Sequence, residues 1–196
     1  MTSGPLLKAF APFGSKRAKL LILGSMPGQT SLSEDEYYAH PRNSFWPILQ
    51  SIYGGSIATY QEKREILTDN HIALWDVLER CIRPGSLDAN IHKDSIICND
   101  FRTFLKHQTE LTRIAFNGKA SERLFRKHVL PELTDKTGLN FNTLPDTSNE
   151  TVCSAIQLIG LPSTSPAMAA LGRNEKIDKW RHALASKCTI VSSATG

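Results

Sequence analysis

Two neighbouring segments carry the residue types best suited to chemistry on a flat, polar molecule. The first is a short loop made of Gly24, Ser25, Met26, Pro27 and Gly28. The second, from Tyr37 to Trp46, combines aromatic rings with the single carboxamide of Asn43. Glycines let a backbone approach a ligand closely, aromatic rings stack on planar bases, and a carboxamide both donates and accepts hydrogen bonds. Together they predict a pocket for a planar nucleobase.

The strand that must position this loop is visible in the sequence. The apolar run from Leu20 to Leu23 directly precedes Gly24 and is typical of a strand buried on both faces. Open α/β sheets bind ligands in the loops at the carboxyl ends of such strands. We therefore expect the site at that edge of a parallel sheet.

Strand-like and helix-like patterns alternate along the chain. Short apolar runs predict four strands, at 20–23, 72–75, 113–116 and 155–159. Apolar spacing, capping signals and helix-permissive composition predict four helices, at 45–53, 60–69, 121–129 and 175–185. This alternation predicts an α/β fold with a parallel sheet. The segment 136–149 is rich in turn formers, and we expect a loop there.

The bulk composition indicates one well-packed domain. The chain has 196 residues, 40% of them hydrophobic, and we expect a single domain over 1–190 and a frayed tail at 191–196. A net charge of +4 permits a polyanionic partner without requiring one. Because neither a membrane span nor a signal peptide is evident, we expect a cytoplasmic protein, associated with the nucleoid if the source is bacterial.

The four cysteines show no metal-binding pattern. Cys81, Cys98, Cys153 and Cys188 are widely spaced and lack the paired spacing of zinc or iron–sulfur ligands. We therefore expect reduced thiols, no metal and no cofactor.

Taken in order, the motifs resemble the uracil-DNA glycosylase superfamily and are most similar to its hypoxanthine-DNA (deoxyinosine) glycosylases. The matching segments span most of the chain and are 24–28 with 37–46, 72–78 with 85–88, 116–118, and 161–167. The resemblance implies a three-layer α/β/α sandwich around a central four-stranded parallel sheet. It also implies a monomeric, monofunctional base-excision repair enzyme that acts on DNA containing deaminated bases. Such an enzyme hydrolyses the glycosidic bond of deoxyinosine, with deoxyuridine as a second substrate to consider.

The resemblance assigns roles to two side chains of the second segment. Asn43 matches the functional asparagine of the hypoxanthine-DNA glycosylases and is the candidate catalytic residue. Alternatively or in addition, it caps the helix that begins beside it. Tyr38 matches the aromatic residue that lies beneath the flipped base in the mismatch-specific branch, and Tyr37 is its rival.

The loop from Gly24 to Gly28 is expected to bind the base. Its backbone N–H groups at Ser25 and Met26 are candidates for stabilising the negative charge that builds up on the departing base. Hypoxanthine presents O6 as an acceptor and N1–H as a donor, whereas adenine reverses both. We therefore expect adenine to be rejected, because it would leave polar groups of the pocket unpaired.

Two positions depart from the related branches. Met26 stands where the mismatch-specific branch has asparagine, and the aspartate of the main uracil branch falls in the same loop; methionine cannot activate water. Leu161 stands where the uracil branch has the histidine that polarises the leaving carbonyl. We therefore expect uracil removal to be weaker than hypoxanthine removal. No lysine lies near the first loop to form a Schiff base, which favours hydrolysis without strand cleavage.

A second loop is expected to contact DNA. Ser163, Thr164 and Ser165 follow the fourth predicted strand and are predicted to open a helix, where hydroxyl and free N–H groups suit phosphates. A plain helix cap is the alternative. Met168 or Leu171 is the candidate for the side chain that fills the space left by the base.

Other polar residues near the motifs have two interpretations each. His40, Arg42 and Arg173 either contact phosphates or the opposite strand, or are ordinary solvated surface residues. Asp76 and Asn117 either support the pocket from behind or form turns.

Two further functions stay open at the level of sequence. A mismatch-type uracil or thymine glycosylase would use the same tyrosine and asparagine on a pyrimidine. A catalytically silent α/β module would bind nucleic acid or a phosphorylated ligand through the two loops. The silent module is consistent with the missing aspartate, asparagine and histidine of the sister branches.

Overall fold

The computed structural model describes residues 4–137, 140–142, 155–168 and 170–185. Its strands are β1 Leu6–Lys8, β2 Phe13–Gly14, β3 Leu20–Gly24, β4 Ile72–Asp76, β5 Leu78–Ile82, β6 Ile97–Cys98, β7 Arg113–Asn117, β8 Asn140–Asn142 and β9 Ala155–Leu161. Its helices are α1 Gln29–Glu34, α2 Phe45–Tyr53, α3 Tyr60–Asp69, α4 Phe101–His107, α5 Lys119–His128, α6 Leu130–Thr137 and α7 Arg173–Ala185. Two short 3-10 helices lie at Asp88–Asn90 and Lys93–Ser95.

The main sheet contains the four predicted strands. Its order is β2-β4-β3-β7-β9-β8, and the strands β4, β3, β7 and β9 run parallel to one another. The sheet is larger than the predicted four strands, because β8 adds in parallel at one edge and β2 adds antiparallel at the other. With two and three residues, these edge strands are too short to show an alternating pattern. The expectation of a loop throughout 136–149 is wrong for β8.

A second, antiparallel sheet of order β1-β5-β6 was not predicted from the sequence. Only Val77 separates β4 from β5, so the chain passes almost directly from one sheet to the other. This passage places the segment after β5 beside the loop that follows β3.

The two faces of the main sheet are covered by different helices. In β3, Leu21 and Leu23 pack into a core that includes Phe125 of α5, whereas Leu20 and Ile22 pack into a core that includes residues of α2, α3 and α7. Alternate side chains of a strand point to opposite faces, so a strand buried on both faces reads as a continuous apolar run. The result is the expected three-layer α/β/α sandwich.

The predicted helices are all present. α2 and α3 have the predicted bounds, while α5 and α7 each begin two residues earlier than expected. α3 starts with a capping box, in which the Thr59 side chain accepts from the Glu62 N–H and the Glu62 carboxylate accepts from the Thr59 N–H. The predicted tail at 191–196 lies outside the described residues, and the single-domain boundary stays a prediction.

Candidate active site

A cavity of about 120 Å³ opens at the carboxyl ends of β3, β4 and β7. This is the edge of the sheet where the sequence predicts a site. It brings together the two predicted segments and the second loop. The lining residues are Gly24, Ser25, Met26, Pro27, Gly28, Ser31, Tyr37, Tyr38, Asn43, Asp76, Ser86, Asp88, Asn117, Ser163, Thr164 and Ser165.

We call Gly24–Gly28 the base loop; hydrogen bonds to its carbonyl groups set its orientation. The Gly24 carbonyl accepts from the Val77 N–H (2.9 Å), and the Ser25 carbonyl accepts from the Leu78 N–H (3.1 Å). Because a trans peptide is planar, the next N–H group along the chain points the opposite way from each carbonyl. The N–H groups of Ser25 and Met26 therefore point away from β5, and no described residue accepts from them. Both residues line the cavity, where these donors are available to a ligand.

Arg83 fixes the base loop from behind. Its side chain is 1% exposed, and its guanidinium donates to the carbonyls of Met26 (3.2 Å) and Pro27. It also lies 3.7 Å from Asp88, whose Oδ1 accepts from the Ser25 hydroxyl (2.7 Å). No sequence motif includes Arg83, and its position two residues before the motif that begins at Gly85 does not reveal that it is buried.

Gly24 is required by close approach rather than by its backbone angles. A Cβ placed on it would lie 2.5 Å from Asp76 Oδ1 and 3.1 Å from the Tyr38 hydroxyl. Any larger residue would displace one of these two polar groups. The glycine thus brings a carboxyl group and a phenol to the bottom of the cavity.

Tyr38 has a backbone conformation that is rare for an aromatic residue. Its φ is 55°, in the left-handed region that costs energy for residues with a Cβ. Its ring stacks on Phe45 with centroids 4.0 Å apart. Tyr37 is 3% exposed and packs edge-on against Phe10 in the core, and its carbonyl accepts from Trp46 Nε1. Of the two tyrosines, Tyr38 is the less buried.

Asn43 lies directly before the N-cap residue of helix α2 and lines the cavity. Its Oδ1 accepts from the Phe45 N–H at 3.0 Å, but the N-cap residue is Ser44, so the interpretation of Asn43 as the helix cap is wrong and the contact is a local turn. Its side-chain amide donates to no other described residue. Ser44 donates its N–H to the Thr164 carbonyl (3.1 Å), so this segment is tied to the second loop. The bond from the Phe45 N–H uses only Oδ1 of Asn43, so its amide group is available to a ligand.

The start of the second loop, residues 162–168, is held by a carboxamide. Asn117 accepts from the Thr164 N–H (2.9 Å) and donates to the Thr164 hydroxyl (2.8 Å). The Ser163 hydroxyl accepts from the Ser165 N–H (3.2 Å). The prediction that this loop opens a helix with free N–H groups is wrong. α7 begins only at Arg173, and side-chain oxygens occupy these two amides.

Helix α7 anchors both ends of the second loop. Lys176 is buried and donates from Nζ to the Met168 carbonyl (2.8 Å), and Trp180 Nε1 donates to the Pro162 carbonyl (2.9 Å). The Met168 side chain is nevertheless 42% exposed, whereas Leu171 is half-buried. Met168 is thus the more accessible of the two wedge candidates.

The remaining DNA-contact candidates are half-buried or exposed. His40 is half-buried, its carbonyl accepts from the Asn43 N–H (2.8 Å), and its Nδ1 accepts from the Arg42 N–H (3.1 Å). Arg42 and Arg173 are exposed, and within the described ranges neither forms an ion pair. Both interpretations of these three residues stay open.

The cavity contains one carboxyl group with a strongly altered acidity. Burial raises the pKa of Asp76 to about 7; the nearby Asp88 also raises it, while the Tyr37 hydroxyl and Arg83 lower it. Asp76 Oδ2 has no hydrogen-bond partner although it is buried. The pKa of Asp88 is also raised by burial, against the effect of the Ser25 hydroxyl and Arg83. The structure thus places Asp76 in the pocket itself rather than in a simple turn.

The two residues at which this chain differs from the related branches, Met26 and Leu161, lie in the core. Met26 is 6% exposed and Leu161 is 4% exposed, each in a hydrophobic cluster. Neither side chain has a group that could polarise water or a carbonyl.

No metal-binding cluster is found among the residues that the structure describes. Cys81 and Cys98 are free thiols, and burial raises the pKa of both; Cys153 and Cys188 lie outside the described residues. None of the described helices is both long and apolar enough to cross a membrane.

Two named proteins are similar in sequence to more than half of this chain. A hypoxanthine DNA glycosylase of Methanosarcina barkeri (strain Fusaro / DSM 804) is 38% identical over 116 residues, which are 58% of this chain and 72% of that protein. A hypoxanthine DNA glycosylase of Methanosarcina acetivorans is 33% identical over 114 residues, 57% of this chain and 71% of that protein.

A solved structure and a family model extend the match to most of the chain. The solution NMR structure of a candidate uracil DNA glycosylase from Methanosarcina acetivorans superposes with a TM-score of 0.66 at 26% identity, covering 92% of this chain and 99% of that one. The family model of the uracil DNA glycosylase superfamily matches residues 11–185. The chain belongs to the uracil DNA glycosylase superfamily.

Proposed function

We propose that this protein is a cofactor-independent, monofunctional DNA glycosylase that removes hypoxanthine from DNA and leaves an abasic site. The observation that carries the proposal is the cavity at the carboxyl ends of the strands, which brings the base loop, Tyr38 and Asn43 together. The hypoxanthine DNA glycosylases among its relatives support the substrate.

Base flipping precedes the chemistry in this proposal. A base inside the duplex is out of reach, and extrusion costs a few kcal/mol, least where the pair is mismatched. The flipped base stacks on Tyr38, an interaction worth about 1–3 kcal/mol. Met168, exposed at the end of the second loop, fills the gap in the duplex.

The base loop then stabilises the departing base. Cleavage of the glycosidic bond leaves positive charge on the sugar and negative charge on the base. The free N–H groups of Ser25 and Met26 donate to an oxygen of that base, which stabilises the charge as it forms. Arg83 holds the loop in the conformation that presents these donors.

Asn43 acts through its side-chain amide, because its Oδ1 already accepts from the Phe45 N–H. The side-chain amide donates to the base edge or orients the attacking water. At this edge hypoxanthine has an acceptor where adenine has a donor, and a donor where adenine has an acceptor. A fixed amide and fixed backbone groups therefore discriminate between the two bases. Appreciable release of normal adenine from duplex DNA would contradict this account.

The DNA backbone is held by the rim of the cavity in our proposal. Ser163 and Ser165 contribute hydroxyl groups, and His40 and Arg42 contribute polar and charged groups. Because the nearby amides of the second loop are occupied, these side chains are the available phosphate contacts.

Uracil is the second substrate to test. The apolar side chains of Met26 and Leu161 remove two groups with which the related branches act on uracil. We therefore propose that hypoxanthine is released faster than uracil.

The test uses duplexes that contain a single hypoxanthine, uracil or xanthine, with alkali revealing abasic sites. The wild-type protein is compared with Asn43→Ala and with Gln61→Ala, which removes a carboxamide from the exposed surface of α3. Hypoxanthine release that is lost only in Asn43→Ala supports the proposal. Faster release of uracil than of hypoxanthine would instead indicate a mismatch-type uracil or thymine glycosylase. Tight binding without base release from any duplex would favour the catalytically silent module.

The monomeric state, the cytoplasmic location and the single domain over 1–190 stay predictions. Sedimentation of the purified protein and fractionation of cells test the first two, and limited proteolysis tests the third.

A further inference from the structure

Asp76 is a carboxyl group at the bottom of the cavity for which the proposed reaction has so far no use. It ends β4, is 3% exposed and lines the cavity. The absence of a side chain at Gly24 leaves the space that its Oδ1 occupies. Its Oδ2 is buried without a hydrogen-bond partner, which is costly for a polar group unless a ligand completes it.

Burial outweighs the neighbouring groups and favours the neutral form of Asp76. Tyr37 and Tyr38 approach it from the second segment, and the Tyr37 hydroxyl, like Arg83, opposes the effect of burial. Asp88 faces it from the 3-10 helix and adds like charge. The one cation nearby, Arg83, donates to the carbonyls of the base loop and pairs with Asp88. Asp76 therefore has no ion-pair partner among the described residues, and burial disfavours its charge.

Protonation of a departing purine removes the negative charge that builds up on it. A carboxylate beside the base would instead repel that charge. Hypoxanthine has basic ring nitrogens that accept a proton as the glycosidic bond breaks. Met26 and Leu161 supply no acid or base, and Asn43 has no titratable proton. Asp76 lines the cavity close to the two tyrosines, and its Oδ2 has no hydrogen-bond partner. Its carboxyl group can therefore supply the proton that these other residues lack.

We propose that the neutral Asp76 carboxyl donates its proton to the departing base and so acts as the general acid of the reaction. The inference rests on the proposed function. The bond between C1′ and the base nitrogen breaks, and its electron pair goes to the base. The base takes the proton of Asp76, which becomes a carboxylate. Water then forms a bond to C1′ and loses a proton, and that proton restores the carboxyl group.

The experiment measures single-turnover release of hypoxanthine with enzyme in excess, between about pH 5.5 and about pH 8.5. Since burial places the Asp76 pKa at about 7, the wild-type rate falls as the pH rises through that value. Asp76→Asn keeps the shape but cannot donate an acidic proton. We expect it to be slower by about 10²-fold at the acidic end and to show no such pH dependence.

Two controls separate chemistry from folding and binding. Asp178→Asn makes the same change on α7, where the carboxylate is 75% exposed, and should leave the rate and its pH profile unchanged. Binding to a duplex with the non-cleavable 2′-fluoro-arabino analogue of deoxyinosine should be the same for Asp76→Asn and wild type. Weakened binding that accounts for the lost rate would overturn the proton-donor role.

The outcomes distinguish this inference from the proposed function. If wild-type protein releases no base, the proposed function fails. If it releases hypoxanthine but Asp76→Asn keeps the rate and pH profile, only the role of Asp76 fails. If Asp76→Asn does not fold, the pH dependence of the wild-type rate tests the role of Asp76 alone. A rate of hypoxanthine release that rises with pH, or does not change with pH, overturns the proposal.

Discussion

The base loop and the second loop border the same cavity but are stabilised in different ways. The base loop is held along its length by two backbone hydrogen bonds, by the buried Arg83 guanidinium and by the half-buried Asp88. The second loop is held at its start by Asn117 and at its end by Lys176, which binds the Met168 carbonyl and leaves the Met168 side chain exposed. The difference fits the roles proposed above, in which the base loop stabilises the transition state and the second loop contacts DNA.

Removing Arg83 should produce the largest change in stability. Arg83→Met leaves the Met26 and Pro27 carbonyls without their donor and the half-buried Asp88 without its cation; at about 1–3 kcal/mol for each buried group left unpaired, we expect a loss of about 3–5 kcal/mol. Urea unfolding measures this loss. Arg17→Met breaks an ion pair whose arginine is 78% exposed and should cost less than about 1 kcal/mol. Equal losses in the two variants would show that the base loop is not held by Arg83.

Neutralising Asp76 should change stability in the opposite direction and in a pH-dependent way. A pKa raised from 3.8 to about 7 means that the ionised form is disfavoured in the folded state by about 4 kcal/mol. This penalty is absent below about pH 4, grows between pH 4 and 7, and is complete above pH 7. Asp76→Asn should therefore be more stable than wild type at about pH 8, and the gain should shrink towards about pH 4. Thermal unfolding at both pH values checks this, and a gain that is independent of pH would contradict it.

Loss of Asn117 tests the anchor of the second loop. Asn117→Ala leaves the buried Thr164 with an unpaired N–H and hydroxyl, and we expect a loss of about 1–3 kcal/mol in the free energy of unfolding. Asn90→Ala, which removes one hydrogen bond at an exposed site, should cost much less. If the two costs match in denaturant titrations, the loop does not depend on this contact.

Met168→Ala should have the smallest effect on stability and a selective effect on activity. An exposed side chain contributes less than about 0.5 kcal/mol to folding. Because unstacking a base step costs a few kcal/mol, release of hypoxanthine from duplex DNA should slow about tenfold, with little change on single strands. Ile97→Ala, at a similarly exposed site on β6, serves as the control. Equal slowing on both substrates would exclude a wedge role.

The central strands and helices were predictable because their patterns are long. β3 and β4 are continuous apolar runs, and α2 has apolar residues at helical spacing. The short edge strand β8 and the second sheet were not predictable, since strands of two to five residues carry no clear period. In these elements, tertiary pairing rather than local sequence decides the structure.

The residues of the site were predictable from motifs, whereas the contacts between residues distant in sequence were not. The base loop, Tyr38 and Asn43 were named from motifs, and the structure brings them to one cavity. The roles of Arg83 and Asp76 depend on burial and on neighbours far away in sequence, which a motif does not express. The occupied amides of the second loop were missed for the same reason.

The stack of Tyr38 on Phe45 has an optical consequence. Phe45 meets Trp46 and Trp180 edge-on, with centroid distances of 4.9 Å and 5.9 Å. A base stacked on Tyr38 would therefore be separated from both indoles by only two rings. The protein thus contains a built-in fluorescent reporter, and its tryptophan emission should follow the arrival and departure of a flipped base without any added label.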